Sequence, residues 1–326
     1  MNEFYYLFLS LGIGIAIDLV YGDPSNKYHP VAWLGKIITL FIPLLKDEKN
    51  SQNEEKLNGM IFATTLTIVV GLTIHYFILT SFHLLGEAAT IILSALILKS
   101  TIAIRGMEKH SKAIMYALEE RDLKQAQYNL SMIVRRDTKN IDERHIISGT
   151  IECIGESTVD GIISPLFYFS LFGPAGAFAD RIINTLDSMI GYKDDPYRYI
   201  GWMSARLDTL SNFIPSRISA FLMVISAKII GADWKNAIQV LRRDHNKTFS
   251  PNAGYPMAAM AGALRIKLEK IGYYSLGYGY ESASIEKCRI AISIMKLTTV
   301  LFCTCLSIPI LAILYVLGWW KLLFGF

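Results

Sequence analysis

The chain has 326 residues, 52% hydrophobic and only 18% charged, against about 25% charged in ordinary soluble domains. Its net charge of +4 comes with no basic tail and no basic-aromatic run, so nucleic acid is excluded as a partner. Four cysteines (Cys153, Cys288, Cys303, Cys305) form no CxxC pair, which argues against a zinc site or a disulfide framework.

The apolar residues gather in blocks, as membrane spans do, and the mean hydropathy is +0.35. The expected fold is an all-α integral membrane protein with about four to five transmembrane helices. Re-entrant or interfacial helices and cytoplasmic helical loops complete it. From Phe4 to Ile17 the chain is apolar, without a basic leader or a small-residue cleavage site. It reads as a retained helix that Asp18 ends. Val31–Leu45 is short and carries Lys36, which suits an interfacial helix. Gly59–Phe82 lacks Asp, Glu, Lys and Arg and is the clearest span. After a turn at Glu87, Ala88–Ile104 returns, interrupted only by Lys99, a residue expected to snorkel.

Residues 105–150 hold nine Lys or Arg residues, which places them in the cytoplasm by the positive-inside rule. Helical spacing runs through Met107–Glu120 and Leu123–Val134. Ile162–Ala179 is broken by Pro165 and by Gly173-Pro174, the pattern of a re-entrant hairpin. Phe213–Ile230 is about long enough to cross but holds Pro215, Arg217 and Lys228. Thr298–Trp320 is a last clear span, closed by Trp319 and Trp320 at an interface. With no internal repeat or linker, residues 1–326 read as a single domain, with 105–150, 181–212 and 232–296 as its polar segments.

Three groups of residues carry candidate chemistry. Glu152, Glu156 and Asp160 fall at i, i+4 and i+8, one helical face. Three carboxylates there need a cation, either Mg²⁺ brought with a phosphorylated substrate or neighbouring arginines. Asp180, Asn184 and Asp187 share another face, with Ser188 beside them, directly after the suspected hairpin. Ionisable groups at such a boundary are functional candidates by default. The third group is basic: Arg135-Arg136-Asp137, Arg206, Arg217 and Arg242-Arg243-Asp244-His245, suited to phosphate or carboxylate. His29, after Gly22-Asp23-Pro24, is a candidate base. There is no GxxxxGK[ST] loop and no GxGxxG, so a nucleotide would bind by other means. GxSxG and HExxH are also missing.

Joined in order, the motifs are specific. They run DLVYGDP (Asp18–Pro24) with HPVAWLGKII (His29–Ile38), RRDT (Arg135–Thr138), ESTVDGIISPLFY (Glu156–Tyr168) and NTLDSMIGYK (Asn184–Lys193). SARLD (Ser204–Asp208), IPSR (Ile214–Arg217) and SPNAGYP (Ser250–Pro256) follow. Over nearly the whole chain this resembles the adenosylcobinamide-phosphate synthase family of cobalamin biosynthesis. Two departures are Ser157, where the family carries Asn in ENTVDG, and a short loop after Gly262.

The resemblance implies a multi-pass enzyme of the cell membrane with its active site facing the cytoplasm. The implied reaction is ATP-dependent amide ligation of adenosylcobyric acid with (R)-1-amino-2-propanol or its O-phosphate. ATP and Mg²⁺ are the implied cofactors, the corrinoid is the substrate, and membrane lipid and other late-pathway cobalamin enzymes are the implied partners. On that reading Glu152, Glu156, Asp160 and Asp187 hold metal, and Asp23 or His29 is the base. Arg136, Asp137, Asp180, Asn184, Ser188, Lys193, Arg206, Asp208, Arg217 and Asn252 contact substrate. A transporter with broken helices, or a non-catalytic membrane sensor on the same fold, are the alternatives.

Overall fold

In the computed structural model, residues 3–25, 27–46, 50–192, 194 and 196–325 are described. The helices, in chain order, begin with α1 (Glu3–Tyr21), α2 (Pro30–Leu45), α3 (Gln52–Leu85) and α4 (Glu87–Lys99). Next come α5 (Ile104–Glu119), α6 (Leu123–Ser131), α7 (Glu143–Thr158), α8 (Ser164–Ile190) and α9 (Trp202–Ser211). The chain continues through α10 (Phe213–Ile229), α11 (Trp234–Asp244) and α12 (Gly254–Leu264), and ends with α13 (Ile285–Phe302), α14 (Ile308–Val316) and α15 (Trp319–Phe324). A short antiparallel hairpin of β1 (Leu268–Lys270) and β2 (Tyr274–Leu276) sits between α12 and α13, with Lys270 opposite Tyr274. Among the described residues, five helical stretches are long and apolar enough to cross a bilayer, six if α9 and α10 count as one broken span. The chain is thus an all-α membrane protein, as its composition implies. At 16 residues, α2 is a short apolar helix below that length.

Local chemistry sets the helix boundaries. Asp122, Asp142, Asp233 and Ser284 each accept a hydrogen bond from the backbone N–H three residues on, and Ser51 forms a reciprocal capping box with Glu54. Two wide π turns, Val159–Ile163 and Cys303–Ser307, precede Pro165 and Pro309. Proline offers no N–H and its ring crowds the carbonyl four residues back, and the wider turn relieves both.

The backbone groups into two compact units. The first comprises Met1–Ala103, Ser164–Asn212 and Leu306–Phe326. In it α1 lies against α4, tied by a hydrogen bond between the Tyr6 and Ser94 hydroxyls. The apolar run expected to extend from Ala88 to Ile104 stops as a helix at Lys99. Lys99 does not snorkel: it is 6% exposed and ion-paired inside the unit.

The break expected at Gly173-Pro174 is present in α8 as a hairpin. Ser164 and Asp180 are sixteen residues apart, about 24 Å along a straight helix. Yet the Ser164 hydroxyl donates to Asp180 Oδ1 over 2.8 Å. The chain therefore doubles back, and it does so at Gly173, whose φ of 66° and ψ of −155° lie outside any helix and favour glycine. Pro174 starts the returning arm, which buries Phe178, Ile182, Leu186 and Ile190 against Leu34 and Ile38 of α2 and Ala63 of α3.

The second unit comprises Ile104–Ile163 and Phe213–Cys305. At its centre is α12, an Ala/Met/Gly helix whose residues are buried except Tyr255. Met257, Met260 and Leu264 are each at most 2% exposed, and burying such side chains contributes about 1.5–3 kcal/mol apiece. Around it pack α10, α11, α13 and α7, and the β hairpin lies on α7.

Candidate functional site

In the first unit, the two arms of the α8 hairpin and α9 bring together an acidic cluster. Asp180 is 3% exposed. Its Oδ1 is held by Ser164, while its Oδ2 is buried with no hydrogen-bond partner among the described residues. Asp208 of α9 lies beside Asp187 and Asp180 and interacts with Asn184 and Asn212. Asn212 donates to Asp208 Oδ1 over 3.0 Å, and its own Oδ1 is a second buried acceptor without a partner. Arg181 is turned to Asn184 Oδ1 at 3.2 Å, and Tyr168 donates to the Ser211 carbonyl at 3.1 Å. Three neighbouring carboxylates repel one another unless a cation or a proton compensates. Two orphaned oxygens beside them make the cluster a ready acceptor for a cationic donor.

Of this cluster, Asp180 lines a cavity of about 460 Å³ between α3, α8 and α9, with Tyr168 and Ser211 as further polar wall and Ile68, Leu72 and Phe172 as apolar wall. Asp187 is held in place from behind. A Cβ on Gly191 would lie 2.0 Å from Asp187 Oδ1, so only glycine fits. The Ser188 hydroxyl bonds back to the Thr185 carbonyl at 2.9 Å. Arg206 is exposed and stacks over Trp202, which Lys56 also covers at 4.0 Å. Lys193 lies outside the described residues.

The same unit holds the ion cluster of Asp18, Asp23, His29 and Lys99. The Lys99 ammonium is 2.5 Å from Asp23 Oδ1 and 3.3 Å from Asp18 Oδ1. His29 caps α2, its Nδ1 accepting from Val31 N at 3.2 Å, with Nε2 at 3.7 Å from Asp23. Burial pushes the Asp23 carboxyl up, but bonds from His29 and Lys99 outweigh it and hold it at about 2.

In the second unit, Glu152 is 2% exposed and its oxygens are taken by three donors. These are the Arg136 guanidinium, the Tyr274 hydroxyl at 2.9 Å and the Ser148 hydroxyl at 2.8 Å. Ser148 in turn accepts from Glu269 N at 2.9 Å, so the network ties α7 to the β hairpin. Burial would lower the Arg136 pKa, but the Glu152 charge raises it, while burial and then Glu152 raise Tyr274. For Glu152 the arginine-paired alternative is therefore the one realised. Glu156 is exposed and Asp160 half-buried. Among the described residues no three His, Cys, Asp or Glu side chains are grouped to cage a metal. Glu152, Glu156 and Asp160 belong to the second unit, and Asp187 to the first.

Also in the second unit, the Arg217 guanidinium lies over the rings of Phe213 at 3.5 Å and Tyr255 at 4.3 Å and donates to Asn252 Oδ1 at 3.3 Å. This stack fixes a planar cation for an anionic group. Asp137 makes a turn, its Oδ1 accepting from Lys139 N at 2.9 Å. Asp244, fully buried, is paired with Arg243 and Lys247 and accepts from Gly277 N, a structural anchor.

Sequence reasoning missed Lys99, Ser164, Asn212 and Tyr274. A lone lysine in an apolar run was a legible signal for a buried ion pair. Ser164 and Tyr274 take partners distant in sequence, and Asn212 follows Asp208 by one helical turn at the end of α9.

A helical membrane protein with an acidic cluster beside a helical hairpin is the class that fold and site define. The chain belongs to the CobD/Cbib protein family, whose model matches residues 11–304, and so to a family of cobalamin-biosynthesis enzymes. It is 37% identical over 290 residues to the probable cobalamin biosynthesis protein CobD of Methanothermobacter thermautotrophicus, covering 89% of this chain and 93% of that protein. Identity to the cobalamin biosynthesis protein CobD of Dehalococcoides mccartyi is 39%, over 81% of this chain and 85% of the relative. The probable CobD of Methanocaldococcus jannaschii is 37% identical, over 95% of this chain and 97% of the relative. No solved structure matches the chain.

Proposed function

We propose that the protein is an ATP-dependent amide ligase that joins adenosylcobyric acid to 1-amino-2-propanol or its O-phosphate, working at the cytoplasmic face of the cell membrane. The observation that carries this reading is the acidic cluster of the first unit. Its buried, unpartnered Asp180 Oδ2 and Asn212 Oδ1 beside Asp187 and Asp208 suit a small ammonium group. The cavity beside it has an apolar wall for the short carbon chain of the amine.

In this reaction a propionate oxygen attacks the γ-phosphorus of ATP, and ADP leaves. The amine nitrogen then attacks the acyl carbon of the acyl phosphate, and phosphate departs. The ammonium must first lose a proton. Asp23 is a weak base because bonds from His29 and Lys99 hold its pKa at about 2. We assign the proton to Asp187 or Asp208, beside the ammonium. Mg²⁺, when bound, would neutralise nucleotide phosphates. Among the described residues no three carboxylates are grouped to cage it, and Mg²⁺ commonly binds through one or two carboxylates plus phosphates.

The test uses the purified chain in nanodiscs with adenosylcobyric acid, Mg-ATP and either amine, read by mass spectrometry. Amide product is expected with one or both amines. No product from folded protein would sink the proposal.

A further inference from the structure

We propose that a cleft in the second unit, between the Arg135-Arg136 turn and the β1–β2 hairpin, binds the polyphosphate of a nucleoside triphosphate. The proposal rests on the ligase reading, to which it adds a nucleotide site. The cleft is about 340 Å³, within the size range of small-molecule sites, about 300–1,000 Å³. Its basic wall is Arg135, Arg136 and Lys270, with His145 beside them. Two carboxylates, Asp137 and Glu269, also line it. Both are engaged, Asp137 in its turn with Lys139 N and Glu269 with Lys267 Nζ at 2.7 Å, as Arg136 is with Glu152. Arg135 and Lys270 add the positive charge of the wall.

The floor is rigid. Arg136 is pinned by Glu152 and reaches the Glu269 carbonyl, so its guanidinium is fixed before a ligand arrives. Arginines in this setting bind phosphate oxygens bidentately. At the rim, Tyr273 is exposed, packs edge-on with Phe249 at 5.7 Å and lies under the Lys270 ammonium at 4.6 Å. An aromatic face beside a cation cluster suits a purine stacked over its own phosphates. The chain has no phosphate-binding glycine loop, so side-chain cations must do what backbone N–H groups do in such loops.

The experiment measures binding of a fluorescent N-methylanthraniloyl ATP to the full chain in zwitterionic nanodiscs. ATP and inorganic tripolyphosphate are the competitors, and aminopropanol O-phosphate is run in parallel. Arg135 and Tyr273 are exposed and Lys270 half-buried, so their alanine variants fold. Arg135→Ala and Lys270→Ala should each weaken ATP and tripolyphosphate about tenfold. Tyr273→Ala should weaken ATP but leave tripolyphosphate unchanged. Unchanged ATP affinity in the Arg135→Ala/Lys270→Ala double variant would overturn the site and leave the ligase reading standing. Displacement by aminopropanol O-phosphate but not by tripolyphosphate would assign the cleft to the amine's phosphate instead. No binding of the fluorescent nucleotide by folded wild-type protein would defeat both the site and the ATP-dependent reading.

Discussion

Replacing Asp180 with asparagine should move stability and activity in opposite directions. The side chain is 3% exposed, with one oxygen bonded to Ser164 and the other unpartnered. A buried polar atom without a partner costs about 1–3 kcal/mol, more when charged. Asp180→Asn keeps the shape and an oxygen for Ser164 while removing the charge that Asp187 and Asp208 oppose. The empty protein should therefore gain about 1–3 kcal/mol, read as a higher unfolding temperature in detergent. The ammonium of the amine would lose a charge-assisted contact worth about 1.5–3 kcal/mol, or roughly ten- to a hundredfold in kcat/KM. The loss should fall on the amine, with KM for adenosylcobyric acid unchanged. Initial rates against each substrate, beside a thermal melt, make the assay. A variant that is less stable and equally active would refute the reasoning, because Asp180 would then be a structural residue.

Gly191→Ala would place a Cβ 2.0 Å from Asp187 Oδ1; displacing that carboxylate should lower kcat/KM for the amine about a hundredfold, checked by steady-state kinetics. Glu152→Gln leaves the buried Arg136 without its counter-charge and should destabilise the protein by about 3–5 kcal/mol, seen by thermal unfolding, while the Mg²⁺ dependence of activity stays the same. Asp23 carries a folded pKa of about 2, below its ordinary 3.8. Its pairing therefore stabilises the fold fully above pH 3.8, and the gain is lost as pH falls through 2. Melting curves taken across that window should show this slope in the wild type and a much smaller one in Lys99→Met. Arg217→Lys loses the planar stack on Phe213 and Tyr255 and should cost about tenfold in kcat/KM, with the corrinoid and amine varied in turn to locate the loss.

The membrane class, the hairpin at Gly173-Pro174 and the acidic face of Asp180, Asn184 and Asp187 were legible because each rests on short-range pattern. Composition sets the first, a Pro/Gly break the second, and helical spacing the third. For Glu152, spacing does not show which partner the carboxylate takes, because Arg136 and Tyr274 claim it from 16 and 122 residues away. Lys99 likewise looked like a snorkelling residue because its partners, Asp18 and Asp23, lie 76 or more residues upstream. The β hairpin escaped notice because its strands are three residues each, too short for an alternating pattern to register.

The most direct test of the ligase account is a single-turnover reaction with adenosylcobyric acid carrying ¹⁸O in its carboxylate. Purified protein in nanodiscs, Mg-ATP and the amine are mixed, and amide, ADP and phosphate are followed by mass spectrometry. The account predicts one ADP per amide and one ¹⁸O in the phosphate released, because the propionate oxygen leaves with the phosphoryl group. Amide formed with unlabelled phosphate, or no amide from folded protein, would contradict it.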